Sequence, residues 1–282
     1  MTHSHKRFAY FGTPYVARDT LSYLVEQGFI PEVVITAPDA PRGRGMVVTP
    51  CETRMWATEH SIPTLTPRTL DTDTIEALAS YQCDYAIVVA YGKIIPQTLI
   101  DAFPLGIINI HYSLLPQYRG ASPVETSLLH GDTVTGVAIQ RMVFALDAGD
   151  ILAMRETKIG PTETTRELRP RLISLGAETL VDILPMFEDR SIVATPQDHT
   201  RATRCSKIKK ESGLLDLTGD ARTNWNTYRA YAESPGTYFF VRRGDKDIRV
   251  KIKTATFDEA HFTPLRVIPE GKQEMEYADF VR

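Results

Sequence analysis

The chain has 282 residues, of which 43% are hydrophobic and 24% charged, a composition that excludes disorder and suits one large globular domain with a small one beside it. The net charge of −3 hides an asymmetry. Residues 1–200 carry 16 basic against 23 acidic side chains, residues 201–253 carry 13 against 6, and residues 254–282 carry 3 against 6, so −7, +7 and −3 sum to −3. Three widely spaced cysteines (Cys51, Cys83, Cys205) argue against a disulfide framework and a structural zinc site. Apolar runs such as "AIVVA" and "GIINI" are too short to cross a bilayer, and "MTHSHKRFAYFGTP" lacks the apolar core of a signal peptide. A reduced, cytoplasmic protein is the expectation.

The first strand is expected at 7–12, followed by a helix with Thr13 as N-cap and Pro14 at the first helical position. Residues 31–36 read as the second strand, 37–50 ("APDAPRGRGMVVTP") as a long loop, and 51–61 and 69–81 as helices. Buried strands follow at 83–92 and 105–111, then a short helix at 122–131 ended by Gly131. Two further strands are expected at 135–142 and 149–159, then a long helical stretch at 162–188 broken at Pro170 and Pro185. Strands alternating with helices through residue 111 imply an α/β fold with a doubly wound, mostly parallel sheet. The polar, basic stretch 191–210 reads as a linker. Beyond it, 236–257 alternates around a "GDK" turn and reads as a β-hairpin, with one more strand and a short helix in 262–281.

Chemistry concentrates in "NIHYSLLPQYRGASP" (109–123). Residues i and i+2 of a strand share a face, so Asn109 and His111 project together while Ile108 and Ile110 turn away. Open α/β sheets bind ligands at the carboxyl ends of their strands, where this pair lies. An amide donor beside an imidazole suits an oxyanion developing on an acyl carbon. The same pair could merely hydrogen-bond the following loop, and N-x-H alone leaves both readings open. In "FALDAGDIL" (144–152), Asp147 and Asp150 flank Ala148-Gly149. A carboxylate near His111 would fix its tautomer and favour its charged form, and Asp147 could help remove a proton from an attacking amine. Asp and Gly are also ordinary turn residues, and spacing does not settle whether Asp147 reaches His111. The pattern G-x-G-x-x-G is absent, as are the P-loop, HExxH, CxxC and G-x-S-x-G, so chemistry without a metal and without a covalent nucleophile is expected.

"FGTP", "NIHYSLLPQYRGASP" and "LDAGDIL" together resemble the 10-formyltetrahydrofolate-dependent formyltransferases, whose H-x-SLLP-x-x-RG-x-x-P string is highly specific. The loop "APDAPRGRGMVVTP", "HSIPTLTP" and "VVAYGKIIP" point to the members that formylate methionyl-tRNA. The likeness covers about residues 7–190 well and continues more weakly to "SPGTYF". It implies a Rossmann-like formyltransferase domain over 1–190, the basic linker 191–210, and a small, shortened OB-like β domain over 211–282. It implies 10-formyltetrahydrofolate as donor, no metal, and the α-amino group of methionine on initiator tRNA as acceptor. Asn109 and His111 would stabilise the oxyanion, with Asp147 keeping His111 charged. The folate would be cradled by Val89, Ala90, Tyr91, Gly92, Ser113, Leu114, Leu115 and Pro116. Transfer RNA would meet Arg42 and Arg44 of the loop, and Lys207, Lys209, Lys210, Arg249 and Lys251 of the basic half. In "RVKIK", Arg249, Lys251 and Lys253 alternate onto one strand face, either a phosphate-tracking stripe or an ordinary solvated face. A monomer is expected.

Two features depart from the family pattern. Tyr112 follows the histidine where glycine is usual, so its ring could crowd the folate loop or stack near the pterin. The C-terminal region offers only three or four strands where an OB barrel takes about five. The rival readings are a sugar N-formyltransferase acting on an amino-sugar nucleotide, hydrolysis of formylfolate, and a non-catalytic folate- or tRNA-binding relative.

Overall fold

The structure, a computed structural model, describes residues 5–42 and 45–282. In chain order, β1 (Phe8–Gly12) leads to α1 (Tyr15–Glu26), β2 (Val33–Ile35), β3 (Ala40–Arg42), β4 (Val47–Thr49), α2 (Glu52–Glu59), β5 (Thr64–Leu65) and α3 (Thr72–Ala79). Then come β6 (Tyr85–Val89), α4 (Gln97–Ile100), β7 (Ile107–His111), β8 (Arg119–Gly120), α5 (Pro123–Leu129), β9 (Val134–Arg141), β10 (Ile151–Lys158) and α6 (Thr165–Glu188). The remainder is β11 (Arg204–Cys205), α7 (Ala221–Ala230), β12 (Tyr238–Arg243), β13 (Lys246–Phe257), β14 (Phe262–Pro269), β15 (Met275–Glu276) and α8 (Tyr277–Phe280).

Among the described residues, seven strands form a sheet in the order β10-β9-β7-β6-β1-β2-β5. The pairs β1–β2, β1–β6, β2–β5 and β6–β7 are parallel, and β7–β9 is antiparallel. Strands β1, β2 and β6 are buried at every position, as sheets covered on both faces require. One face packs Phe11, Ile35, Val88 and Ile107 against Leu78, Ile95, Leu99 and Phe103. On the other, Gly176 of α6 lets Ile110 and Tyr112 approach, since a Cβ there would lie 3.0 Å from Ile110 Cγ2 and 3.4 Å from Tyr112 Cε1.

Contacts divide the chain into two compact units: residues 1–119, 136–156 and 170–203, and residues 120–135, 157–169 and 204–282. In the second unit β12-β13-β14-β15 form an antiparallel sheet, a small OB-like element one strand short of a five-stranded barrel. Its core is Leu215, Phe239, Val250, Ile252, Val267 and Phe280. The β12–β13 hairpin pairs Arg243 with Lys246 around Gly244-Asp245, with Gly244 at φ 61°, a conformation glycine adopts at little cost.

Several elements differ from expectation. Pro14, not Thr13, caps α1, because the Thr13 hydroxyl donates to Tyr91 O (3.2 Å) and accepts from Ala37 N–H (3.2 Å), tying together three sheet-end loops. The loop 37–50 contains the β3–β4 hairpin. Helix α6 runs unbroken through Pro170 and Pro185. Each proline costs about 3 kcal/mol. The buried Leu168, Leu172, Ile173, Leu180, Leu184 and Phe187 of the same helix offset this at about 1.5–3 kcal/mol per side chain. Helix α7 arises where no helix was expected; Asp220 accepts from Thr223 N–H (2.7 Å) as its N-cap, and α7 packs against α5. Strand β15 adds one more strand than 262–281 suggested. The stretch 191–210 is not a bare linker, because Thr195 exchanges two 2.8 Å backbone hydrogen bonds with Ile151.

Candidate active site

Parallel strands β6 and β7 end side by side, with Val88 opposite Asn109. On the other side of β7, Gln140 of β9 lies opposite Asn109 and Ala138 opposite His111. Asn109 is half-buried, and among the described residues no side chain or backbone group hydrogen-bonds its amide. His111 is buried. Its Nε2–H donates to the Tyr118 carbonyl at 2.9 Å, a partner that can only accept, which fixes that proton on Nε2. Its Nδ1 lies 3.6 Å from Asp147 Oδ2, just beyond direct hydrogen-bond reach.

Asp147 thus reaches His111, which spacing had left open. It sits at φ 48°, in the left-handed region that Asp tolerates better than most residues, and Gln140 Nε2–H donates to its Oδ1 at 3.0 Å. The turn is tight: a Cβ on Gly149 would lie 1.7 Å from Arg141 O. Asp150 has a backbone role, its carbonyl accepting from Arg141 N–H at 2.8 Å, and its side chain is exposed.

Burial lowers the pKa of His111, partly offset by the Asp147 carboxylate and the Tyr118 carbonyl, while Arg119 adds to the lowering. This corrects one expectation. Asp147 supports the charged form but does not outweigh burial, so the resting imidazole is neutral near pH 7. Tyr112 points to the opposite face from His111 and packs beside Gly176, away from the site edge. Its bulk therefore fills core space and does not crowd the loop.

The residues expected to cradle folate divide by exposure. Val89 and Leu115 are buried packing, and Tyr91 packs edge-on against Phe11 at 5.3 Å with its hydroxyl pushed up to about 12 by burial. The Ser113 hydroxyl donates to Gln117 O at 2.5 Å, bracing its own turn. Ala90 (φ 46°) and Gly92 (φ 82°) are exposed at the strand end, and Leu114 and Pro116 are half-buried. Ala90 and Gly92 are exposed backbone positions and Leu114 and Pro116 offer partly exposed apolar side chains, a lining that suits a flat, polar-edged heterocycle. Ala90 and Gly92 expose peptide groups that could pair with ring nitrogens.

Of the expected tRNA contacts, Arg44 lies outside the described residues and Arg42 ends β3. Lys207, Lys209, Lys210 and Lys251 are exposed. Arg249 is half-buried over the Tyr238 ring at 3.7 Å, while Val250 and Ile252 point into the core. Sequence reasoning missed Gln140, Gln197, Arg119 and the Tyr118 carbonyl. Gln140 had a faint signal, a polar residue inside the apolar run "GVAIQ"; Gln197, in a polar stretch, had none.

A lone amide, a buried imidazole and a carboxylate at the carboxyl edge of a parallel sheet are the equipment of an acyl-group transferase that works by oxyanion stabilisation and proton transfer. Residues 6–184 match the family described as formyl transferase. The methionyl-tRNA formyltransferase of Thermotoga maritima is 40% identical over 236 residues, covering 83% of this chain and 75% of the relative. That of Geotalea daltonii is 36% identical over 273 residues, covering 96% and 86%. The chain belongs to the formyl transferase family, in its methionyl-tRNA formyltransferase branch, and is an enzyme of formyl transfer. Among solved structures, HypX from Aquifex aeolicus in complex with tetrahydrofolic acid superposes with TM-score 0.64 at 16% identity, over 99% of this chain and 47% of that one. An N-formyltransferase from Helicobacter canadensis gives 0.65 at 17%, over 96% and 98%. At these identities the likeness is one of fold. Among the described residues no helix is long and apolar enough to cross a membrane.

Proposed function

We propose that this chain transfers the formyl group of 10-formyltetrahydrofolate to the α-amino group of methionine on initiator tRNA, for translation initiation. The observation that carries the reading is the meeting of Asn109, His111 and Asp147 at one sheet edge in a chain of this family. The donor supplies an activated formyl carbon and, once protonated, a good leaving nitrogen. The unengaged Asn109 amide donates to the oxygen that gains charge as the amine attacks. His111 keeps one proton on Nε2 through Tyr118 and takes a second at Nδ1, beside Asp147. The rising negative charge on the formyl oxygen makes that second protonation favourable and offsets the burial that otherwise lowers the imidazole pKa. That second proton is the one shed by the attacking amine, handed to Nδ1 through a water shared by Asp147 across the 3.6 Å gap; it passes on from Nδ1 to the leaving nitrogen, so imidazole and carboxylate end as they began.

The folate lies along Ala90, Gly92, Leu114 and Pro116, with Val89, Tyr91, Ser113 and Leu115 shaping the edge from behind. We assign residues 1–190 to catalysis, 191–210 to a basic link whose Lys207, Lys209 and Lys210 meet tRNA, and 211–282 to tRNA binding with Arg249 and Lys251, with Arg42 and Arg44 near the acceptor end. The enzyme acts as a cytoplasmic monomer. The test is formyl transfer from 10-formyltetrahydrofolate to methionyl initiator tRNA, with an amino-sugar nucleotide as parallel acceptor. Formyl-methionyl-tRNA is expected; transfer to the sugar alone would overturn the acceptor assignment.

A further inference from the structure

We propose that the segment 195–203, which follows α6, is a strap that positions both hydrogen-bonding neighbours of His111, with Gln197 as its key positioning residue. The inference rests on the functional reading above for its link to catalysis, and on geometry alone for its link to His111.

Gln197 is buried and uses all four of its hydrogen-bonding positions. Its Oε1 accepts from Arg119 Nε (3.2 Å) and Nη2 (2.6 Å), and its amide donates to Asp147 O (3.0 Å) and Gly149 O (2.6 Å). Arginine can only donate and carbonyls can only accept, so the amide orientation is unambiguous. The two carbonyls flank Ala148, the residue after Asp147 in the tight turn. Gln197 therefore holds the backbone that aims the Asp147 carboxylate at Nδ1, and holds it in a left-handed conformation that an untethered Asp would often leave.

The other neighbour of His111 is tied to the same strap. The Tyr118 carbonyl that receives Nε2–H belongs to a residue whose N–H donates to Thr203 Oγ1 at 2.8 Å. The next N–H, of Arg119, donates to Thr203 O at 2.9 Å, and Thr203 N–H donates to Pro116 O at 3.3 Å. Arg119 also donates to His199 Nδ1 at 3.0 Å. Residues 197, 199 and 203 thus hold the loop on one side of the imidazole and the turn on the other. The charged groups that act on His111 are Asp147, from the β9–β10 turn, and Arg119, from the loop after 118. Gln197 bridges them, keeping the guanidinium on its oxygen while the turn is held on its nitrogen. A glutamine does this where no other side chain of that length can, because it carries two acceptor and two donor sites without charge.

The test is a titration of the His111 imidazole by NMR in the free full-length protein, the resonance assigned by its loss in His111→Gln, for wild type, Gln197→Met and Gln197→Ala. Gln197→Met keeps the side-chain length but can neither accept from Arg119 nor donate to either carbonyl, so it releases the turn without adding a charge near His111. Melting curves confirm that each variant folds. With the turn released, the carboxylate support is lost and the His111 titration moves to lower pH in both variants. The formyl-transfer kcat falls by up to about 10²-fold, the size expected of an ångström-scale misplacement, with KM for tRNA unchanged. His111 titration unaltered in a folded Gln197→Met overturns the strap. A shifted titration with formyl transfer intact leaves the strap standing and removes His111 from the chemistry proposed above.

Discussion

The end of β7 and the face of β13 both present alternating side chains, yet they work in opposite physical regimes. At β7 the alternation aims the half-buried Asn109 and the buried His111 to one sheet edge, where His111 has Tyr118 and Asp147 beside it and the Asn109 amide is, among the described residues, unengaged. At β13 it aims Arg249, Lys251 and Lys253 outward, with Val250 and Ile252 supplying the core. In the first region few groups act and each is worth a great deal, because low dielectric and fixed geometry magnify single contacts. In the second, many charges act together, each weakly and each screened by salt.

Replacing His111 breaks the comparison most sharply. His111→Ala is expected to lower kcat/KM for formyl transfer by about 10²–10⁴-fold, the range of a lost acid–base group, while tRNA retention on a filter survives. Unchanged turnover would sink the mechanism. Asn109→Ala removes an oxyanion donor and is expected to lower kcat by about 10²–10³-fold with little change in KM. Gly149→Ala tests the turn itself: a Cβ 1.7 Å from Arg141 O cannot be accommodated without backbone movement, so a lower melting temperature and a loss of turnover should come together.

The pH dependence follows from burial. The folded pKa of His111 lies below its unfolded value, so the folded state binds fewer protons between the two and stability rises with pH there. That contribution is complete above the unfolded value, about 6.5, and is lost as the pH falls through the folded pKa. A pH series of melting temperatures should slope upward across that window in wild type and lose that part of the slope in His111→Gln.

The smallest effects belong to β13. Lys251→Ala or Lys253→Ala should leave kcat unchanged and reduce the slope of log K against log salt for tRNA by about 0.7–0.9 if the side chain meets one phosphate. A change in kcat with an unaltered salt slope would mean that this face acts on the chemistry and not on binding.

Local pattern by itself determined the parallel sheet, the β12–β13 hairpin, and the pairing of Asn109 with His111 on one face. Strand periodicity and turn chemistry act over neighbouring residues, so they can be read without a fold. It did not determine the course of α6 through two prolines, because the buried leucines and isoleucines that offset them gain their energy from distant partners. Nor did it reveal α7, whose Asn- and Thr-containing run is a poor helix former stabilised by its cap and by packing against α5. Only the tertiary structure decided that Asp147 faces His111, that burial outweighs this carboxylate in setting the imidazole charge, and that Gln197 in a featureless polar stretch holds the turn. Those outcomes depend on contacts between residues 36 and 50 positions apart, where sequence spacing carries no geometric information.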